Sequence, residues 1–324
     1  MKKVISILTC LCLLMTTGCS RQETIRFGAA GVGGMYYPFA NAFTELASKD
    51  ETGINWKVKS TAGSAANLRL LSDNYIELGI AQADLIEDAY YGKGSFHSGK
   101  YRGYKAVASL YPEACQIVVR KDSDITSLDD LEGKNVSVGE EESGTERNAT
   151  QILEMCGLPD NLVNTKNLDY TDAADQLAEK KIDAFFCTAG AQTTVIGELA
   201  KKCDIRLLSI DEKSAEKLKG TYKFYTDCTI PKETYNGQTE DVKTVGVKAV
   251  LLASDKLSAD TVKDITKILF ENKQELQYAL PVDISLDEKS AVEGITIPFH
   301  KGAVAYYEEC GMDAAELTTE KESN

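Results

Sequence analysis

From residue 24 onward the chain alternates between short apolar runs and amphipathic stretches of helical period. Residues 24–28 place Ile25 and Phe27 on one face, as a strand against a core does, and 36–48 follow as a helix. Residues 56–60 alternate like a second strand, and 64–72 predict a short helix with Leu68 and Leu71 turned inward. Residues 78–81 read as a buried strand, 84–91 as a further helix, and 92–103, with four glycines, as a loop. A long strand is expected over 106–119, broken at Pro112. Strands at 136–138 and 184–186 are separated by helices near 146–156 and 171–180. Further strands fall at 205–210 and 245–253, and 258–280 carries Val262, Ile265, Leu269 and Leu276 at helical spacing.

Alternation of this kind argues for an α/β fold with parallel sheets. The layout suits two lobes joined by crossing strands. The run at 106–119 makes the first crossing, and a return within 228–256 completes a discontinuous first lobe. The expected boundaries are 24–112 plus about 250–318 for lobe 1, about 113–249 for lobe 2, and a polar tail at 319–324. Ligands in open α/β sheets collect outside the carboxyl ends of strands, so the loops there hold the candidate chemistry.

The first residues break the pattern. Lys2 and Lys3 precede a mostly apolar run at 4–15, interrupted by Ser6 and Thr9. Such a run is too short for a bilayer core of about 30 Å and suits a secretory leader. Thr16-Thr17-Gly18-Cys19-Ser20 then resembles a bacterial lipobox, whose Cys is diacylated and begins the mature protein. Thr16 stands where Leu, Val or Ile is usual, and an ordinary secretory signal with an incidental Cys is the alternative. In both cases the protein is exported, with a signal peptide at 1–18 and a lipidated N-terminus and linker at 19–23.

Composition narrows the partners. Of 324 residues, 36 are Lys or Arg and 50 are Asp or Glu, a formal charge of −14 that becomes −16 when Lys2 and Lys3 leave with the leader. A phosphate backbone demands clustered cations, so nucleic acid is excluded as a partner. Only seven arginines are present. Net acidity does not exclude a small anion, because one oriented pocket can oppose the overall field. Beyond the leader and Cys19, six cysteines remain: Cys115, Cys156, Cys187, Cys203, Cys228 and Cys310. They form no CxxC pair and no zinc spacing, and read as buried inert thiols with one or two disulfides possible.

Three groups of loops carry the candidate site. The run 28–38 follows a strand and opens a helix, yet Gly31-x-Gly33 lacks the third glycine of a dinucleotide fingerprint because Tyr36 stands there. What survives is a small-residue loop, Gly33-Gly34, that lets a ligand approach N–H groups at a helix N-terminus. A tight turn without any ligand is the plain alternative. Thr61-Ala62-Gly63-Ser64-Ala65-Ala66-Asn67 repeats the arrangement, with Ser64 as an N-cap and Thr61 and the Gly63 amide left for a ligand. Gln82 and Asp84 add an amide and a carboxylate, although Asp84 also reads as a helix cap. In the other half, Ser143-Gly144-Thr145 offers hydroxyls and another helix N-terminus, with capping equally open. Two opposed helix N-termini from two lobes would clamp an acid without buried arginine. Asp84 would suit an amino acid's ammonium, and Tyr36 would pack on its aliphatic part.

Gly31-Val32-Gly33-Gly34-Met35-Tyr36-Tyr37-Pro38, the run 61–71, Glu77-Leu78-Gly79-Ile80-Ala81-Gln82-Ala83-Asp84, the run 241–247 and Ile297-Pro298-Phe299-His300-Lys301-Gly302-Ala303 resemble the TAXI family of TRAP transporter solute-binding proteins. The resemblance runs in order from about residue 24 to about 312. Ala62 departs from a common glycine, and Lys301 from a frequent proline. The resemblance implies a two-lobed periplasmic-binding-protein-like fold of the second class, with the ligand cleft between lobes. It also implies capture of a small carboxylate, such as glutamate, 2-oxoglutarate or a related acid, by lobe closure and delivery to TRAP membrane permease subunits. A ligand-binding subunit serving a sensor kinase or an ABC permease would carry similar loops. Thr188 and Gln192 are placed on the second lobe's rim from their position near a strand end, with core or capping roles equally open.

Catalysis finds little support. His97 and His300 sit in no HExxH, and there is no GxSxG elbow or GK[ST] loop. No catalytic residue, metal site or cofactor is expected.

Overall fold

A computed structural model describes residues 23–49, 53–159, 161–280, 284 and 286–319. The expected leader and the lipid site at Cys19 lie outside the described residues.

Strand β1 (Thr24–Gly28) buries Ile25 and Phe27. Helix α1 (Tyr36–Ala47) turns Phe39 and Phe43 into the same core, and Phe43 meets Phe27 edge to face at 6.2 Å and Trp56 at 5.8 Å. Next come β2 (Asn55–Lys59), α2 (Ser64–Ser72), β3 (Leu78–Gln82) and α3 (Ala83–Tyr91). Strand β1 lies between β2 and β3 and is parallel to both, as helical crossovers require. Strand β3 is buried along its whole length, the signature of a strand covered on both faces.

Strand β4 (Tyr104–Arg120) is continuous, so the break expected at Pro112 is absent. Proline removes one ladder donor, and here the position tolerates that loss. Pro112 faces Lys248 on one side, while pairing on the other side begins only at Ala114.

The chain then builds β5 (Asn135–Ser137), α4 (Gly144–Met155), β6 (Asn164–Lys166), α5 (Tyr170–Ala178) and β7 (Ala184–Ala189). After these come α6 (Thr194–Lys202), β8 (Ile205–Leu207), α7 (Glu212–Thr221) and β9 (Thr226–Ile230). It returns along β10 (Val242–Ser254) and ends with α8 (Ala259–Glu271), α9 (Lys273–Ala279), α10 (Lys301–Glu309) and α11 (Ala314–Thr318). The single helix expected over 258–280 is two. Asn272, at φ −106° and ψ 24°, leaves helical geometry and its Nδ2 donates back to Ile268 O at 2.9 Å.

The sheet order is β2-β1-β3-β10-β4-β7-β5-β6. The long antiparallel pair β4 and β10 joins two parallel sheets. Residues 249–253 of β10 pair with β3, and residues 114–119 of β4 pair with β7. The near ends of both strands therefore belong to one lobe and the far ends to the other, giving a two-lobed α/β architecture with two crossing strands.

Candidate functional site

Residues just beyond β1, β2, β5 and β6, together with the ends of β3 and β7, wall one cavity of about 450 Å³ between the lobes. Gly33, Gly34, Tyr36, Thr61, Gly63, Ser64, Gln82, Ser143, Gly144, Thr145 and Thr188 line it. Asn67, Asp84 and Gln192 do not.

Each of the three has a different place. Asn67 is buried and ties the first lobe's strand ends together: its Nδ2 donates to Gly28 O at 3.2 Å and to Ile80 O at 2.8 Å. Its Oδ1 accepts the Thr61 hydroxyl at 2.8 Å, while Thr61 Oγ1 accepts from Ala30 N at 3.0 Å. Thr61 thus borders the cavity with its proton already committed. Asp84, in the first turn of α3, is turned toward α4 and accepts from Asn148 Nδ2 at 3.4 Å. Burial pushes its carboxyl up to about 7. The Asp84 carboxyl, expected to receive a ligand's ammonium, therefore does not line the cavity. Gln192 is exposed in the turn after β7 with φ 64°, and the neighbouring Thr193 is the buried member, donating to Gly190 O at 2.7 Å.

The first lobe offers uncapped helix ends. Helices α1 and α2 begin after Met35 and Gly63, neither helix has a side-chain cap, and neither has an acid in its first turn. Ser64 is not the cap expected of it: it is the first helical residue, and its Oγ accepts from Gln82 N at 3.1 Å. Gly63 has φ 130°, a conformation open to glycine alone among common residues. At α2, Ala65 N is already taken by Glu142 O of the other lobe, and the amides that remain at such ends carry partial positive charge and receive acids.

In the second lobe the corresponding ends are filled. Ser143 caps α4 by accepting from Glu146 N at 3.0 Å, and Asp169 caps α5 by accepting from Thr171 N and Asp172 N at 2.8 and 2.9 Å. The expected clamp of two opposed free helix ends is thus one-sided. Thr145 serves as a hub within its own lobe, bonded to the Tyr170 hydroxyl and accepting from Thr188 N at 3.2 Å, while Tyr170 donates to Thr188 O at 3.1 Å.

Sequence reasoning missed the acids of the cavity wall: Glu113, Glu140 and Asp169. Among the described residues, no Lys or Arg lines the cavity. Glu113 lies on β4, one residue past Pro112, and is only 2% exposed. Its Oε2 accepts the Tyr36 hydroxyl at 2.7 Å, and Gln82 also bonds the carboxyl. Burial pushes this carboxyl up to about 8, the Tyr36 bond opposes that, and nearby Asp84 pushes further. The one charged residue in the mostly apolar run 106–119 was the available signal.

The lobes are closed on one another. Ala65 N donates to Glu142 O at 3.1 Å, Arg69 Nε lies 2.8 Å from Glu142 Oε1, and Arg147 Nη2 lies 2.8 Å from Asp88 Oδ2. Three glycines permit the approach. A Cβ at Gly144 would fall 2.2 Å from Gln82 Oε1, one at Gly63 3.3 Å from Ser143 Cα, and one at Gly34 3.2 Å from the Tyr170 ring.

Elsewhere, His300 caps α10 through Nδ1, accepting from Gly302 N at 3.2 Å, and His97 is exposed. The six described cysteines are free thiols, so the disulfide alternative is not realised among them. Burial pushes the Cys187 thiol up to about 12, which makes it a poor nucleophile.

A family model described as the NMT1-like family matches residues 27–311. Among solved structures, a protein of Bordetella bronchiseptica RB50 is similar over 93% of this chain and 85% of its own, at 16% identity and TM-score 0.53. An ancestral arginine-binding protein bound to arginine is 16% identical over 79% of this chain and 96% of its own, with TM-score 0.52. A putative L-cystine ABC transporter protein from Listeria monocytogenes is 16% identical over 82% and 98%, with TM-score 0.51. At these identities the likeness concerns the fold, which is that of the two-lobed periplasmic binding proteins.

Proposed function

The chain belongs to the NMT1-like family, and on that premise we propose that it is an exported solute-binding protein that traps a small acid between its lobes and delivers it to a membrane permease. The observation that carries this reading is the cavity of about 450 Å³ walled by both lobes. That size suits a metabolite rather than a polymer. The uncapped ends of α1 and α2 supply the electropositive pole for the acid group. Gly33, Gly34, Tyr36, Gly63, Ser64 and Gln82 form the receiving wall, and Ser143, Gly144, Thr145 and Thr188 form the closing wall. The lobes, divided near residues 112 and 249, pivot on β4 and β10.

The motifs at 31–38, 61–71 and 77–84 favour a permease of the TRAP type and the TAXI branch of its binding proteins. The ABC type is the second reading, favoured by the likeness to the Listeria L-cystine transporter protein. The leader at 1–18 and Cys19 support tethering to the cell membrane on its outer side.

Thermal melting of the mature chain against a panel of amino, keto and hydroxy acids and neutral sugars tests the ligand class. Binding of acids is expected, and stabilisation by a sugar with none by any acid overturns it. Uptake by the cognate permease in vesicles separates the transport types: a sodium gradient drives the TRAP type, and ATP the ABC type.

A further inference from the structure

The cavity wall contains a buried acid that acid binding alone does not explain. A ligand with only acid groups would meet Glu113, Glu140 and Asp169 with no Lys or Arg among the described lining residues to offset them. Asp169 is committed to capping α5, and Glu140 is only partly buried. Glu113 is different: it is sealed in and held by the Tyr36 hydroxyl at 2.7 Å. Beside it, Gln82 Oε1 is buried with no donor among the described residues, although Gln82 itself is 2% exposed and lines the cavity. The unpartnered oxygen is that of Gln82, and Glu113, already bonded by Tyr36 and Gln82, becomes a second, charged acceptor beside it once it loses its proton. An ammonium group is donor-only, carries the missing positive charge, and forms charge-assisted hydrogen bonds to such a pair.

We propose that Glu113, with Gln82, is the receptor for a protonated amine, so that the ligand is an amino acid rather than a keto or hydroxy acid. The acid group then sits at the ends of α1 and α2, and the amine sits against β3 and β4. This assignment rests on the small-acid reading above and narrows it. It also transfers to Glu113 the role that the sequence suggested for Asp84.

The site makes a second, independent signature. The titratable groups facing Glu113 are Tyr36 from α1, Asp84 from α3, Tyr111 and Cys115 from β4, Tyr170 from α5 and Cys187 from β7. Burial holds the tyrosines and thiols protonated, so Asp84 and Glu113 are the titrating members near neutrality. The empty-site value for Glu113 is about 8. An ammonium lowers it on binding, a proton leaves, and affinity rises as pH climbs toward 8. A ligand with no amine favours protonated Glu113, so its affinity stays level as pH climbs toward 8 and falls only above it.

The test uses matched pairs that differ only at one carbon: alanine and pyruvate, glutamate and 2-oxoglutarate, and the remaining amino acids with their 2-keto and 2-hydroxy counterparts. Calorimetry on the mature chain should show the amino member of the binding pair at least about tenfold tighter, and Glu113→Gln should erase that preference while sparing the keto member. Should Glu113→Gln fail to fold, the wild-type pH profile decides, with affinity rising toward pH 8 in support. Keto acids binding as tightly as their amino partners, a preference that survives Glu113→Gln, or the opposite pH slope overturns the assignment of Glu113 alone. Absence of binding by every acid in the panel overturns the small-acid reading as well.

Discussion

In the first lobe, α1 and α2 begin at Met35 and Gly63 with no side chain on their N-terminal amides; in the second, Ser143 caps Glu146 N of α4 and Asp169 caps Thr171 N and Asp172 N of α5. Both pairs of helices point at the same cavity. A helix end that caps itself is complete without a ligand, whereas an uncapped one needs water or an anion. The difference therefore divides the labour. The first lobe receives the acid group, and the second closes over it and supplies a self-sufficient wall. Lobe closure then depends on how closely the second lobe's finished loops can approach the first, which is where the glycines at 63 and 144 act.

The largest effect expected is from Gly144→Ala. The new methyl would fall 2.2 Å from Gln82 Oε1, and Gln82 is held in place by burial and by Glu113. Overpacking of this kind costs about 1–3 kcal/mol, and it falls on the closed state alone. Ligand affinity should drop by about tenfold to a hundredfold, and small-angle scattering with ligand should show the more open form. Wild-type affinity in the variant would mean that the lobes do not need this contact. A smaller effect with two signs is expected from Asp169→Ala. Loss of the α5 cap should cost about 1 kcal/mol of stability in denaturant melts, while removal of a negative charge from the cavity wall should tighten acid binding. If stability and affinity fell together, Asp169 would belong to the receiving wall and the division between lobes would fail.

Most of the first lobe's site was legible in the sequence because its chemistry is local. Gly33-Gly34 and Gly63-Ser64 stand between a strand and a helix, and small residues at such a junction advertise backbone donors. The second lobe's loops carry the same local appearance, yet the hydroxyl of Ser143 is spent on Glu146 N and that of Thr145 on Tyr170. Spacing along the chain cannot separate a free hydroxyl from a committed one when the partner is 25 residues away. Asp84 and Glu113 show the same limit from the other side. Asp84 lies next to a site loop in sequence and points to α4, whereas Glu113 lies mid-strand and reaches the cavity through the pairing of β4 with β10. The fold was easier to read than its boundaries: apolar runs and period-two alternation located most strands flanking the cavity, but β6, Asn164-Thr165-Lys166, carries neither signal. Pro112 failed as a strand breaker because only one edge of β4 is paired there.

The smallest effect belongs to the latch at the rim. Arg69, on α2, stacks over Phe96 at 4.8 Å and Tyr101 at 5.2 Å and pairs with Glu142 across the cleft at 2.8 Å. The pair is 32% and 43% exposed, so solvent screens it and its worth is only about 0.2–1 kcal/mol. Arg69→Gln should loosen ligand binding by about twofold to fivefold in dilute buffer. The difference from wild type should vanish at about 1 M salt, where screening reaches within about 3 Å. The aromatic contacts would be lost at every salt concentration, so a deficit that persists at high salt assigns the arginine to packing within the first lobe. A deficit confined to low salt makes Arg69 and Glu142 a weak electrostatic fastener between a lobe that receives and a lobe that shuts.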